Sequence, residues 1–106
     1  MGEKNNITNG LKEFKNKLSK KINVQKMLLF GSYATGGYGK HSDVDLIIVS
    51  PNFRNVRFIK RSLGFYKIWQ LDLPVDYICY TPEEFERQKK RISLVRMALK
   101  EGIEIA

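Results

Sequence analysis

The sequence predicts an α/β (α+β) domain in which helices flank a small mixed β-sheet. Residues 44–50 form a β-branched run that is apolar on both faces, which places this strand at the centre of a sheet covered by helices. Two more short apolar runs, residues 26–30 and 75–80, predict neighbouring strands. Helical patterns lie before, between and after the strands, so the expected order is helix, strand, strand, helix, strand, helix.

Two of the helices are predicted from apolar periodicity. The first covers residues 8–21, where apolar side chains recur at spacings of three and four. The second covers residues 55–70 on a similar spacing, although Gly64 weakens its middle. The residues that set these patterns are Leu11, Phe14, Leu18 and Ile22 in the first helix, and Val56, Ile59, Leu63 and Tyr66 in the second.

The last part of the chain opens with a strong helix start. Thr81 is a good N-cap, Pro82 suits the first helical position, and Glu84 completes a capping box. One or two helices are expected to follow, with Gly102 as their stop.

Length and composition limit the class of protein. A chain of 106 residues with 42% hydrophobic residues fits one folded domain, residues 1–106, and excludes a disordered chain. Its longest apolar runs have four residues and its first ten residues are polar, so neither a membrane span nor a secretory signal is expected. A single cysteine, Cys79, excludes a disulfide framework. We expect a cytoplasmic protein.

The charge balance bears on partners. The chain has 19 Lys and Arg against 11 Asp and Glu, a formal net charge of +8, and no acidic residue lies between Leu46 and Leu71. This balance favours nucleoside triphosphates, nucleic acid or an acidic protein surface as partners. The alternative is that Lys-rich helices simply have solvated outer faces.

Three carboxylates break the local pattern of the predicted strands. Asp43 and Asp45 are two residues apart at the start of the most apolar strand, so both side chains project from one face. Such a pair repels unless a cation neutralises it, and carboxylate oxygens suit Mg²⁺. Asp76, on the next strand, adds a third oxygen donor of the kind found at two-metal sites. Alternatively, Asp43 is a turn residue and Asp76 pairs with a Lys or Arg.

A turn at Gly31 and Ser32 follows the first predicted strand. Glycine lets backbone N–H groups approach a phosphate closely, and a serine hydroxyl adds a donor. A short helix beginning near Tyr33 would direct the positive end of its dipole toward the same anion.

Together these residues resemble the nucleotidyltransferase superfamily of DNA polymerase β. The pattern consists of Gly31-Ser32, a gap of ten residues, Asp43-Val44-Asp45-Leu46 and a later strand aspartate, Asp76. The small size is most similar to the minimal nucleotidyltransferases of prokaryotes, and the likeness extends from about Leu11 to Glu104.

The resemblance implies roles for single residues. Asp43, Asp45 and Asp76 would be catalytic and would hold two Mg²⁺ ions, with Asp76 helping to deprotonate the attacking hydroxyl. The candidate nucleotide-binding residues for ATP are Gly31, Ser32, Lys40 and Ser42. The minimal family commonly has arginines two places apart after Gly-Ser, where this chain has Tyr33 and Thr35, so Lys40 is a candidate substitute.

The resemblance also implies a partner. Minimal nucleotidyltransferases are often encoded beside a HEPN-domain toxin and silence it by attaching AMP to a tyrosine, as the antitoxin of the pair. Alternatives are transfer to a small-molecule hydroxyl, a binding module that neutralises its partner by contact, and a nucleic-acid binder. Direct nucleic-acid binding and membrane association are not expected. The aromatic surplus around residues 53–69 is either packing or an interface.

Overall fold

The fold is a four-stranded sheet with helices on both faces, as seen in a computed structural model. The structure describes residues 3–37, 39, 42–91 and 94–106. Its helices are α1 (Glu3–Leu18), α2 (Ser32–Thr35), α3 (Pro82–Lys89) and α4 (Leu94–Glu101). Its strands are β1 (Lys26–Phe30), β2 (Val44–Val49), β3 (Val75–Tyr80) and β4 (Ile103–Glu104). This confirms the predicted mixed α+β class.

The order of strands in the sheet is β3-β2-β1-β4. β2 runs parallel to β3 and antiparallel to β1, which in turn pairs antiparallel with β4. The prediction of β2 as a central strand is confirmed. It has buried residues on both faces because helices or turns cover each side of the sheet.

Alternation along the strands divides the core into two layers. One layer joins the even-numbered residues of β2 to α1 and to the segment after β2, and the other joins odd-numbered residues of β2 to α3 and α4. The first layer includes Leu11, Phe14, Leu18, Leu46, Ile48 and Phe65. The second includes Leu28, Phe30, Ile47, Val49, Phe85 and Val95.

The predicted helix over residues 55–70 is wrong. Three short 3-10 turns, Pro51–Phe53, Phe58–Lys60 and Phe65–Lys67, form this segment, with left-handed backbone at Asn55 (φ 64°) and Gly64 (φ 86°). These positions interrupt any continuous helix.

The same segment reverses the predicted inward stripe. Phe53, Phe65 and Ile68 are buried, whereas Ile59 and Tyr66 are 81% and 74% exposed. Tertiary packing of large aromatic side chains therefore outweighed local periodicity in this segment.

Other element boundaries differ less. The first helix begins at Glu3 rather than residue 8, and the two-residue strand β4 was not predicted. The capping box of Thr81 and Glu84 is confirmed. α4 ends just before Gly102, as predicted. Position 102 requires glycine because a Cβ there would overlap the carbonyl oxygens of Ala98 and Leu29. Among the described residues, no helix combines the length and the apolar character that crossing a bilayer requires.

Candidate functional site

The three predicted carboxylates meet at one end of the sheet. Asp45 of β2 lies directly beside Asp76 of β3 in the parallel register. Asp43 immediately precedes β2, and it is close enough for its charge to act on Asp45. Strand alternation continued by one residue directs its side chain to the same face. This is the face that α3 and α4 cover further along the strands. Asp43 and Asp76 are exposed and Asp45 is half-buried, so the cluster opens to solvent.

Gly31 completes this end of the sheet. β1 ends at Phe30, whose register partner on β2 is Asp45, so the turn after β1 begins beside the carboxylate. Gly31 has a φ of 74°, and a Cβ at this position would overlap Asp45 Oδ2. Both the backbone conformation and the close approach therefore require glycine. The sequence predicted the turn, but it carried no sign of this contact.

The negative charges of the three carboxylates repel one another when no ligand is bound. The pKa of Asp45 is raised, first by burial and then by the negative charges of Asp76 and Asp43. Within the described part of the chain, none of the three carboxylates forms an ion pair with a Lys or Arg. The alternative that Asp76 pairs with a basic side chain therefore finds no support among these residues.

The donor chemistry fits a divalent cation. Three carboxylates that share one face without a described counter-charge are what an oxygen-seeking ion neutralises. In the described residues, however, no three His, Cys, Asp or Glu side chains already form a group that could hold a metal ion. Mg²⁺ commonly uses one or two carboxylates together with substrate phosphates, so a site completed by the nucleotide fits this arrangement.

The predicted phosphate-binding residues lie in the turn and loop between β1 and β2. Gly31 is the N-cap of α2 and Ser32, half-buried, is its first residue. Ser42 accepts a hydrogen bond from the Gly39 N–H through its hydroxyl (2.8 Å), which closes the loop just before Asp43. Lys40 lies outside the described residues. Binding of nucleotide by these four residues stays a prediction.

The two positions where minimal nucleotidyltransferases commonly have arginines lie in different surroundings in this chain. Tyr33 is buried in the α1 layer of the core. Thr35 is exposed, and its hydroxyl donates a hydrogen bond to the Gly31 carbonyl (3.4 Å). Neither side chain carries charge, so backbone N–H groups and Lys40 are the candidate partners for phosphate charge between β1 and β2.

Comparison with known proteins identifies the family and the fold of the chain. The Nucleotidyltransferase domain family matches residues 11–103 of the chain. A crystal structure described as a "putative nucleotidyltransferase" from Sulfolobus solfataricus superposes with a TM-score of 0.67, covering 98% of this chain and 89% of that one. At 20% identity this likeness concerns the fold alone.

Two further relatives are more similar in sequence. A second solved structure, also described as a "putative nucleotidyltransferase", is 31% identical with a TM-score of 0.51, and the match covers 76% of this chain and 87% of that one. A Methanocaldococcus jannaschii protein named "Putative protein adenylyltransferase" is 46% identical over 46 residues, which is 42% of this chain. The match spans about half of that relative's length (46%). The family match shows that this chain belongs to the nucleotidyltransferase domain family.

Proposed function

We propose that this chain transfers AMP from ATP to a hydroxyl group, in the presence of Mg²⁺, and that the acceptor is a tyrosine of a partner protein. The observation that carries the proposal is the register pairing of Asp45 with Asp76, with Asp43 on the same face and Gly31 against the Asp45 carboxylate. Three neighbouring carboxylates that form no ion pair among the described residues repel one another and destabilise the fold unless a cation binds them. Clusters of carboxylates hold the metal ions of phosphoryl-transfer sites.

The reaction is an in-line displacement at the α-phosphate. The acceptor oxygen forms a bond to the α-phosphorus, the bond from that phosphorus to the bridging oxygen breaks, and pyrophosphate leaves. The turn at Gly31 and Ser32 holds the β- and γ-phosphates through backbone N–H groups. Mg²⁺ held by Asp43, Asp45 and Asp76 would neutralise charge on the phosphates.

The acceptor side of the site is assigned to Asp76. It lies on β3, an edge strand of the sheet, and its side chain is exposed, so a large acceptor has access to it. A carboxylate there takes the proton of the attacking hydroxyl, either directly or through water. The half-buried Asp45 lies between Asp76 and Gly31, and this order supports assigning the nucleotide to the inner side of the cluster.

A protein acceptor is supported by one relative and by charge. The M. jannaschii relative carries the name of a protein adenylyltransferase. The formal net charge of +8 suits an acidic partner surface. The resemblance to minimal nucleotidyltransferases extends the proposal to a HEPN-domain toxin as acceptor and to an antitoxin role for this chain.

Labelling with α-³²P ATP tests the proposal. The purified chain, Mg²⁺ and a lysate of the source cells are incubated, with parallel reactions containing EDTA or the Asp45→Asn protein. We expect a labelled protein band that both controls lose and whose mass identifies the acceptor. A band that persists in Asp45→Asn contradicts the assignment of the site. Absence of both label and pyrophosphate release contradicts catalysis and favours neutralisation of the partner by contact.

A further inference from the structure

A second surface of the molecule is exposed and apolar. The segment between β2 and β3 presents a row of large side chains to solvent, which we call the ridge: Val56, Phe58, Ile59, Leu63 and Tyr66. The last three are 81%, 73% and 74% exposed, respectively. Single exposed apolar residues are ordinary, but five within eleven positions of one segment form a patch that the fold itself does not bury.

The ridge is held in place rather than loosely attached. Arg61, in its middle, donates hydrogen bonds to the carbonyls of Cys79 (3.0 Å) and Val56 (3.0 Å) and forms a two-point ion pair with Glu84. The Phe58 ring packs against the Tyr80 ring, with 5.9 Å between the two ring centroids. The apolar side chains are therefore displayed on a backbone that is anchored to β3 and α3, which lowers the entropy cost of binding.

A groove lies beside the ridge. It has a volume of about 450 Å³, and its apolar lining includes Leu18, Ile22, Phe53, Val56, Leu63 and Phe65. Because Val56 and Leu63 belong to both the ridge and the groove, the two form one continuous surface. A concave apolar site beside exposed apolar side chains is the usual form of a surface that accepts side chains from a partner helix.

The unpaired charges described on this surface are positive. Arg54 and Arg61 are neutralised by Glu83 and Glu84. Arg57 and Lys60, which flank the exposed Phe58 and Ile59, form no ion pair with a carboxylate in the part of the chain described. A partner that covers the apolar side chains brings its own residues against these cations, and acidic residues satisfy them.

We infer that the ridge and the groove dock an acidic amphipathic helix of the acceptor protein. The inference rests on the proposed function, because it names how the acceptor is held. Charge argues against a second copy of this chain, since self-pairing would bring Arg57 and Lys60 of two copies together. The groove argues against a lipid surface, which is flat and leaves a concave lining unfilled.

This docking surface is separate from the carboxylate cluster at which the proposed reaction takes place. The ridge segment touches β3 at Cys79 and Tyr80, which lie three and four residues after Asp76 on the same strand. Three to four strand residues span about 10–13 Å. The groove belongs to the α1 layer, on the opposite face of the sheet from the carboxylates. A docked protein therefore leaves the carboxylate cluster free, and another of its segments reaches Asp76 around the edge strand β3 with the acceptor hydroxyl.

A peptide probe tests the docking surface without ATP. The probe is a labelled synthetic amphipathic helix with one leucine face and glutamates on both flanks, and its match has lysines in place of the glutamates. Fluorescence anisotropy measures binding to the whole chain. We expect the acidic probe to bind at least about tenfold more tightly than the basic one, with an affinity that falls as salt rises.

Matched variants locate the binding. The double variant Ile59→Ser with Tyr66→Ser should weaken the acidic probe about tenfold or more, and Lys60→Glu should weaken it as well. Met97→Ser, which changes an apolar side chain 58% exposed on α4, should alter it by no more than about twofold. Equal losses in Met97→Ser and in the double variant overturn the inference. So does a double variant that loses binding to phosphatidylserine vesicles but keeps the probe.

Failure of docking and failure of catalysis are distinguishable. Asp45→Asn should abolish AMP transfer and keep the affinity for the probe. The double variant should raise the KM for the labelled acceptor about tenfold and leave the KM for ATP unchanged. If transfer is absent but the probe binds at the ridge, the proposed reaction is wrong and the docking surface stands. If acceptor kinetics do not change in the double variant, the docking inference is wrong.

Discussion

The polar side chains at the two ends of β2 and β3 differ in whether they have bonding partners. Where the strands end, the buried Ser50 hydroxyl accepts a hydrogen bond from the Asn52 N–H (3.1 Å), and Thr81 and Glu84 bond each other in a capping box. Where the strands begin, Asp45 and Asp76 lie side by side without a described counter-charge.

The pKa shifts follow the same division. The hydrogen bonds from Arg61 lower the pKa of Glu84. Burial and two neighbouring carboxylates raise the pKa of Asp45. Polar groups at one end thus stabilise the fold, whereas those at the other end cost stability until a ligand neutralises them.

The largest effect is expected from Asp45→Asn. We expect AMP transfer to fall about 1,000-fold or more, because a group that neutralises phosphate charge is lost, while thermal stability does not fall. Labelled transfer and thermal melting measure the two quantities. Asp72→Asn, an exposed carboxylate just before β3, is the matched control and should leave both unchanged. If Asp45→Asn lowers stability, this end of the sheet is structural and the contrast fails.

Comparison of alanine substitutions at two glycines tests the close contact between Gly31 and the Asp45 carboxylate. Gly31 and Gly36 both have positive φ, but only at Gly31 would a Cβ overlap the Asp45 carboxylate, while at Gly36 nothing lies within 4 Å. Gly36→Ala should cost about 1–2 kcal/mol of stability from its left-handed backbone. Gly31→Ala should cost about 1–3 kcal/mol, because its φ of 74° and ψ of −156° lie in a region that only glycine adopts readily. Only Gly31→Ala should also lower transfer, by about 10–100-fold, because it displaces the carboxylate. Equal transfer rates in the two variants would show that Gly31 acts through the backbone alone.

Two ion pairs test the opposite end. The side chains of Arg61 and Glu84 are 8% and 31% exposed, whereas those of Arg54 and Glu83 are 52% and 57% exposed. Arg61→Ala removes the cationic partner of Glu84, which keeps only the Thr81 N–H, and the side-chain donor to the Cys79 carbonyl. It should cost about 2 kcal/mol in the free energy of unfolding. Arg54→Ala should cost less than about 0.5 kcal/mol. Urea unfolding of both variants measures the difference between the two losses. The different burial of the two ion pairs predicts this difference, whereas a simple count of ion pairs predicts equal losses.

The smallest expected effect is in the pH dependence of stability. Since folding raises the pKa of Asp45, the folded protein binds more protons than the unfolded chain between the ordinary and the raised value, and its stability falls as pH rises through that range. The lowered pKa of Glu84 acts in the opposite sense, and its contribution is lost as pH falls through the lowered value.

Comparison of Tm across pH separates these two groups. Asp45→Asn should be stabilised relative to the parent protein near neutral pH, and the difference should disappear in acid. Glu84→Gln should be destabilised near neutral pH and should approach the parent in acid. A gain in Asp45→Asn that does not vary with pH would mean that charge repulsion is not its source.

The parts of the fold that local physics determines were predicted. The strands β1 to β3 were predicted from their apolar runs, and the capping box from three residues. Residues 55–70 were not, because the spacing of Val56, Ile59 and Leu63 suits a helix while Phe65 and Ile68 compete for the core. Which set is buried depends on ring contacts with Phe14 and Tyr77, and no local pattern encodes these contacts.

The site divides in the same way. Strand periodicity predicted that Asp43 and Asp45 share a face, and this needs no tertiary information. The placement of Asp76 beside Asp45 depends on the parallel register of β2 with β3, which a connection of 25 residues leaves undetermined. The contact of Gly31 with Asp45 depends on the antiparallel register of β1 as well.

The two-residue strand β4 protects the sheet from aggregation. The Ile105 N–H donates to the Met27 carbonyl (2.8 Å), and Lys15 Nζ donates to the Ile105 carbonyl (2.9 Å), so residues 103–105 cover the outer edge of β1. Without this cover, β1 has an unpaired edge beside four buried apolar residues in succession. Such an edge is a template for pairing with other chains. Local opening of β4 therefore exposes a site at which folded molecules aggregate.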